Sequence, residues 1–163
     1  MKIFQTSRVT TAVALSLAAL TVAKGAWADE DSASFDATIQ VLPFCSISTS
    51  DLSFGSISAG ITPAVDASTS LTVDCSNNTN YSVSLSNGAN FDSTRRMSWG
   101  GNFVGYSLYS DSTRSLEWTP TQAVTGTGNG SIRTHTIYGR VFSGQSVSNP
   151  GTYGDTIVAT VSY

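Results

Sequence analysis

The sequence predicts an all-β protein in which two antiparallel sheets pack face to face. The chain after residue 28 is rich in Ser, Thr, Gly and Asn and contains no lysine, a composition that disfavours helices and favours strands joined by turns. No segment keeps apolar residues at a 3.6-residue period over three turns. Short runs alternate apolar and polar residues instead, with turn residues about every 8–12 positions. This spacing is typical of an immunoglobulin-like sandwich.

The first 28 residues have the pattern of a secretory signal peptide. Lys2 and Arg8 form a basic start, residues 10–22 are apolar but too short to span a bilayer, and residues 26–28 (Ala-Trp-Ala) fit a cleavage site. The alternative interpretation is an N-terminal membrane anchor. No later apolar run reaches about 18 residues, so no transmembrane segment is expected after it. We therefore expect an exported mature chain, Asp29–Tyr163.

The charge of this mature chain limits its partners. Five arginines remain against eleven acidic residues, which gives a net charge of −6. A surface this acidic argues against a nucleic-acid partner, whose phosphates need basic patches. The absence of lysine excludes isopeptide bonds through lysine, so any polymer of this chain must be held together non-covalently.

The alternating runs after Cys45 define the predicted strands. They are residues 46–54, 68–75, 81–85, 103–110, 131–141 and 152–163, with a small extra strand at 116–118. Residues 91–102 are predicted to be irregular and residues 124–131 to form a loop. An immunoglobulin-like sandwich normally has seven strands. The count therefore predicts a missing last strand, which would leave a groove of exposed core and an unpaired sheet edge.

A spare amphipathic strand precedes the predicted domain. In Ser34–Val41, apolar side chains fill every second position: Phe35, Ala37, Ile39 and Val41. Pro43 ends the run, because proline cannot donate to a strand ladder. This segment matches the missing strand in length and pattern. We predict that residues 29–44 are an extension that supplies a strand to a neighbouring subunit and that residues 45–163 are the domain; the alternative is that the strand pairs within its own domain.

The two cysteines are predicted to form a disulfide bond. An even number of cysteines in an exported protein favours pairing, and Cys75 falls on the inward face of its strand, where Cys45 could reach it. The bond would close a loop of about 30 residues and stabilise the fold by roughly 3–4 kcal/mol. The alternative, a metal site with two thiol ligands, lacks further ligands.

No residue pattern points to catalysis, a cofactor or a metal, so we expect no enzyme. His135 is expected to be a surface histidine or one whose hydrogen bonds are satisfied, and no serine lies in a nucleophile elbow. Residues 126–130 lack the Gly-Lys-Ser/Thr of a phosphate-binding loop, so a hairpin loop is expected there. Arg95 and Arg96 are expected in a solvated turn, with a ligand contact as the alternative. Trp99 is expected in core or inter-subunit packing, with a sugar-stacking platform as the alternative.

Short motifs distributed over the whole predicted mature chain match those of one family. They are YSLYSD (106–111), Arg114, Trp118, GTGNG (126–130), IYGRV (137–141), Gln145 and GTYGDTIVATVSY (151–163), together with Cys45, LSFG (52–55) and LTVDC (71–75). The chain resembles the spore coat protein U / Csu-type pilin family, the subunits of archaic chaperone–usher pili. Residues 119–122 (TPTQ) depart from the Gly/Asp turn expected after Trp118.

The resemblance implies an incomplete immunoglobulin-like sandwich that lacks its last strand. In such pilins a periplasmic chaperone lends a strand, and at the outer-membrane usher the N-terminal strand of another subunit replaces it. The edge residues that would contact the chaperone or the next subunit are Ile157, Ala159, Val161 and Tyr163. The expected product is a surface fimbrium of a Gram-negative bacterium, with roles in adhesion and biofilm formation.

Two other functions are kept beside this one. The first is a coat or matrix protein that completes its own fold. The second is a secreted carbohydrate-binding domain, for which Trp99, Trp118 and Tyr109 would have to line an exposed face.

Overall fold

The computed structural model describes residues 29–57 and 60–163, so the predicted signal peptide lies outside the described residues. The described residues fall into two units, which are divided after Ile39. In the first unit, residues 29–39 carry neither helix nor strand. Over the described ranges, no helix has the length and apolar character needed to cross a membrane.

The second unit contains eight strands in two sheets. They are β1 (Cys45–Thr49), β2 (Val65–Cys75), β3 (Asn80–Leu85), β4 (Arg95–Trp99), β5 (Asn102–Tyr109), β6 (Val124–Thr127), β7 (Ile132–Val141) and β8 (Ala159–Ser162). One sheet has the order β1-β2-β7-β5-β4, the other the order β6-β3-β8, and all pairs are antiparallel. The predicted all-β sandwich is confirmed.

The core lies between the two sheets, where the predicted alternation places it. In β3, Tyr81, Val83 and Leu85 are buried and the intervening serines are half-buried. Leu71 and Val73 of β2 face them from the other sheet and are fully buried. A period of two therefore explains the inner face of both sheets.

The prediction that residues 91–102 are irregular is wrong, because β4 lies within them. β4 pairs with β5 from Arg95↔Tyr106 to Trp99↔Asn102. Its inward-facing positions include the charged Arg95, which is buried. The strand has no clean apolar alternation, and for that reason the pattern did not reveal it.

The loop predicted at residues 124–131 begins with β6, which pairs with β3. Gly126 packs against the ring of Tyr81 so closely that a Cβ atom would lie 2.5 Å from it. The predicted hairpin at residues 126–130 is also wrong: β6 and β7 belong to different sheets, so this segment crosses from one sheet to the other.

Three predicted strands are shorter in the structure. The strand predicted over residues 46–54 is β1, which ends at Thr49. Residues 116–118 form only a bridge between Glu117 and Tyr109 at the side of β5. The last strand, predicted over residues 152–163, has its ladder at β8, extended by one backbone hydrogen bond from Ser86 N–H to the carbonyl of Val158 (2.8 Å).

Candidate functional site

The candidate site is a seam between two unpaired strand edges. β1 is the edge strand of the larger sheet and β8 the edge strand of the smaller one, and the two lie next to each other. Within the described ranges, β1 has a ladder with β2 alone and β8 with β3 alone. An unpaired strand edge presents backbone N–H and C=O groups that can accept a further strand.

Half-buried apolar side chains line this seam. Ile47 of β1 and, on the other side, Ile157, Ala159 and Val161 pack against the core but keep part of their surface exposed. Of the four predicted edge residues, Ala159 and Val161 lie in β8, Ile157 lies two residues before it, and Tyr163 follows it and is exposed. The seam therefore combines free ladder positions with apolar surface that the described part of the chain leaves partly exposed.

A cleft of about 800 Å³ is lined by the segment that follows β1 and by residues that precede β8. One wall is the segment after β1, with Leu52, Phe54 and Ile57; the other is the segment before β8, with Val147, Pro150 and Tyr153. An apolar cavity of about 150 Å³ already holds a benzene ring. The cleft therefore has room for several large side chains.

The predicted disulfide is confirmed. Cys45 and Cys75 are bonded, face each other across β1 and β2, and have Cα atoms 4.1 Å apart. Next to them, the backbone N–H of Phe44 donates to Ser76 Oγ (3.0 Å) and its carbonyl accepts from the N–H of Ser76 (2.9 Å). The point where the extension joins the domain is therefore firmly held.

The predicted donor side chains lie in an exposed segment. Phe35 and Ile39 are each 90% exposed, and Ala37 and Val41 are exposed as well. Residues 29–44 form no strand. Their pairing with another subunit stays a prediction.

Asp155 fixes the segment that precedes β8. Its carboxylate accepts hydrogen bonds from the Tyr106 hydroxyl (2.7 Å) and from the backbone N–H groups of Ala89 (2.9 Å) and Thr156 (2.9 Å). Burial, together with the hydrogen bond to Asp155, raises the pKa of Tyr106, so the phenol stays protonated. The segment that leads into β8 and borders the seam is thereby held against β5.

Arg95 is a buried anchor, and its predicted place in a solvated turn is wrong. Its guanidinium donates to the carbonyls of Ser86 (2.7 Å), Trp118 (2.8 Å) and Leu85 (3.3 Å). Burial lowers the pKa of this arginine. No sequence pattern distinguished Arg95 from its neighbour Arg96, which is half-buried and forms a salt bridge to Asp92 (3.0 Å).

The carbohydrate-binding alternative required Trp99, Trp118 and Tyr109 to line one exposed face, and the structure does not provide this face. Trp118 is fully buried and its indole N–H donates to the carbonyl of Val83 (2.8 Å), so it cannot line an exposed face with Trp99 and Tyr109. Trp99 is half-exposed and packs against Gly151.

His135 is a half-buried histidine with a hydrogen-bond partner, as expected. Its Nε2 lies 3.0 Å from the Tyr81 hydroxyl, and its ring meets Trp118 edge-on. Burial, and to a lesser degree the nearby Arg133, lowers the pKa of His135. Among residues 29–57 and 60–163, no three His, Cys or acidic side chains converge where a metal ion could bind.

Comparison with known proteins gives one family and a set of solved structures. The family model described as Spore Coat Protein U domain matches residues 31–160. No curated protein sequence matches. Sixteen chains of solved structures match. One belongs to the crystal structure of the CsuC–CsuE chaperone–tip adhesion subunit pre-assembly complex from archaic chaperone–usher Csu pili of Acinetobacter baumannii. It is 26% identical with a TM-score of 0.56, and the match covers 76% of this chain and 40% of that chain.

Proposed function

Because the chain belongs to the Spore Coat Protein U domain family, we propose that it is a structural subunit of a chaperone–usher pilus that polymerises by exchanging strands between subunits. One observation carries the proposal: among the described residues, one edge of β8 has no ladder partner, and half-buried apolar side chains lie along it. A folded domain that leaves core surface open beside a free edge needs a strand from elsewhere.

The strand we propose for this position is Ser34–Val41 of another subunit. Phe35, Ile39 and Val41 on one face would pack on the seam, while the alternate polar side chains would face away. Burying each of these three side chains is worth roughly 1.5–3 kcal/mol. The backbone would add a ladder along β8, the usual mode of strand addition to an exposed edge.

Before assembly, the same groove would be occupied by a periplasmic chaperone. The similar crystal structure is a chaperone–subunit complex by its description, which supports this partner. We propose that the chaperone covers the seam during export and that an outer-membrane usher is the place where a neighbouring subunit replaces it. The joint would persist because every ladder bond and apolar contact has to open together.

The proposed location is a fimbrium on the surface of a Gram-negative bacterium, reached through the periplasm. The disulfide supports passage through an oxidising compartment. Adhesion and biofilm formation are proposed as roles of the assembled fibre, and no enzymatic step is assigned to this chain.

The experiment is an unboiled denaturing gel of the mature chain exported to a periplasm together with its chaperone and usher. The wild-type chain should give a ladder of multimers that heat dissociates. The double variant Phe35→Asp, Ile39→Asp should give monomer, because two charges would enter an apolar groove.

The matched control is Thr38→Asp, Gln40→Asp, which adds the same charge to the polar face of the same segment and should keep the ladder. Wild-type chain that stays monomeric would contradict the proposal and favour a self-complemented coat or matrix protein. Equal loss of multimers in both double variants would show that charge alone matters and that the apolar face is not the contact.

A further inference from the structure

The disulfide lies at one end of the domain and the cleft at the other, and these are called the disulfide end and the cleft end. β2 runs from Val65, which lines the cleft, to Cys75, which forms the disulfide. Ten residues of strand separate these ends by about 33 Å. Tyr163, after β8, lies beside Tyr81 and Thr127, and the neighbouring Gly128 contacts Cys75. β8 therefore points toward the disulfide end, and the segment before it starts at the cleft end.

Two large apolar side chains sit at the disulfide end without cover. Leu42 is 68% exposed and Phe44 is 59% exposed, although Phe44 is fixed by its backbone bonds to Ser76. Two residues of chain span at most about 7 Å. Leu42 therefore cannot reach the cleft of its own domain, at the far end of β2.

The direction of an added strand decides what arrives at the cleft. Every strand pair in this domain is antiparallel, and antiparallel pairing is slightly more stable per residue than parallel pairing. A strand that runs antiparallel to β8 starts at the disulfide end and emerges at the cleft end. If that strand is Ser34–Val41 of another copy, the next residues to emerge are Leu42–Phe44.

We propose that the cleft is a socket for Leu42 and Phe44 of a neighbouring copy of this chain. This inference rests on the proposed function and extends the contact beyond the four apolar positions of Ser34–Val41. The size of the cleft supports it: one valine side chain from Val41 would leave most of about 800 Å³ empty. The walls also carry apolar side chains that suit Leu42 and Phe44, because Leu52, Phe54 and Val147 line the cleft.

The socket has a consequence for the shape of the polymer. It places the disulfide end of one copy against the cleft end of the next. Contacts of this head-to-tail kind, repeated without closing into a ring, generate an open filament. Because Phe44 is held by Ser76, burying it in the next copy would leave little free linker between domains and would stiffen the joint.

The first test measures how fast heat dissociates the multimers. Leu42→Ser should accelerate dissociation at a fixed temperature on the order of 10- to 100-fold, since it removes one buried leucine side chain from the joint. The matched control is Leu116→Ser. Leu116 is 62% exposed and lies beside β5, across the sheet from β1. This variant should dissociate at the wild-type rate.

The second test is a cross-link between copies. The variant Leu42→Cys, Val147→Cys should form disulfide-linked multimers that survive boiling without reductant and collapse with it. The control variant Leu42→Cys, Leu116→Cys should not. Because Leu42 cannot reach the cleft of its own domain, a cross-link to position 147 reports a neighbouring copy.

The outcomes separate this inference from the proposed function. One outcome would overturn the socket and leave strand exchange standing. In it, the Phe35→Asp, Ile39→Asp variant forms no multimers, Leu42→Ser multimers dissociate at the wild-type rate, and Leu42→Cys, Val147→Cys forms no cross-link. A cross-link from position 42 to the chaperone alone would also overturn it. Absence of wild-type multimers would overturn both.

Discussion

Tyr106 and Asp155 join the buried face of one sheet to the segment that leads into the edge strand of the other. The phenol of Tyr106, on β5, donates a 2.7 Å hydrogen bond to the Asp155 carboxylate, four residues before β8. The same carboxylate accepts from the backbone of Ala89 (2.9 Å). One side chain therefore holds β5, the turn after β3 and the border of the groove in a fixed relation.

Removing the Tyr106 hydroxyl should destabilise the domain. Tyr106→Phe leaves one oxygen of the Asp155 carboxylate without its donor, which should cost about 1–3 kcal/mol in the free energy of unfolding. Urea unfolding followed by fluorescence measures the loss. The control is Tyr109→Phe, whose hydroxyl makes no hydrogen bond within the described part of the chain and whose loss should change the midpoint little. Equal effects of both variants would contradict the role of the Tyr106–Asp155 bond.

Gly88 is expected to resist substitution for a reason that also involves Asp155. Its φ is +91°, and a Cβ atom would lie 2.1 Å from the Asp155 carboxylate. Gly88→Ala should therefore both strain the turn and push Asp155 away from Tyr106. Gly130→Ala, at φ +70° with open space around it, carries the backbone strain alone. In urea unfolding Gly88→Ala should lose clearly more stability than Gly130→Ala; equal losses would show that contact with Asp155 does not matter.

The buried Arg95 should contribute far more to the free energy of unfolding than the exposed Arg133 does. Arg95→Met would leave the carbonyls of Leu85, Ser86 and Trp118 without a donor, at a cost of about 3 kcal/mol or more. Arg95→Lys should recover only part of this, because an ammonium cannot reproduce the planar fork of a guanidinium. The control is Arg133→Met, at an exposed position, which should change the free energy of unfolding by less than about 0.5 kcal/mol.

Arg95 also shows where sequence patterns stop being informative. The alternation of Tyr81, Val83 and Leu85 predicted β3 correctly because each inward position is apolar. β4 escaped because a charged residue occupies an inward position and finds its partners on three backbone carbonyls far along the chain. Such a site is set by tertiary structure, which the local period of apolar residues does not report.

The groove was predictable in outline and not in detail. The strand count behind the predicted free edge was wrong, because β4 and β6 were missed and the domain has eight strands. The free edge appears instead in the sheet order, where β8 is an edge strand. The pairing of Cys45 with Cys75 followed from parity and inward placement. The cleft could not be predicted, because its walls at residues 52–57 and 147–153 are irregular segments without a period. The occupant proposed for the seam comes from another subunit, so contacts within one chain do not report it.

Stability should fall in mildly acidic solution because of His135. Burial and Arg133 lower the pKa of this histidine in the folded state, so the unfolded chain takes up a proton at higher pH than the folded one does. The contribution is therefore fully present above about pH 6.5, the ordinary histidine pKa, and declines as the pH drops below it toward the folded value. Urea midpoints between pH 7.5 and 5.5 should show this decline. His135→Gln, which cannot titrate but can still bond Tyr81, should flatten the curve; an unchanged slope would assign the effect to other groups.

The disulfide should contribute more to stability than any single hydrogen bond of the groove. The bond joins residues 30 positions apart and ties the edge strand β1 to β2. In the chain-entropy account, closing such a loop stabilises the fold by roughly 3–4 kcal/mol. The variant Cys45→Ser, Cys75→Ser should therefore unfold at a much lower urea concentration than the oxidised wild-type chain. Reductant should bring the wild-type chain to the midpoint of the variant and leave the variant unchanged. A reduced wild-type chain that keeps the oxidised midpoint would show that β1 is held by its ladder and by the Phe44–Ser76 bonds alone, and that the root of the extension does not depend on the covalent link.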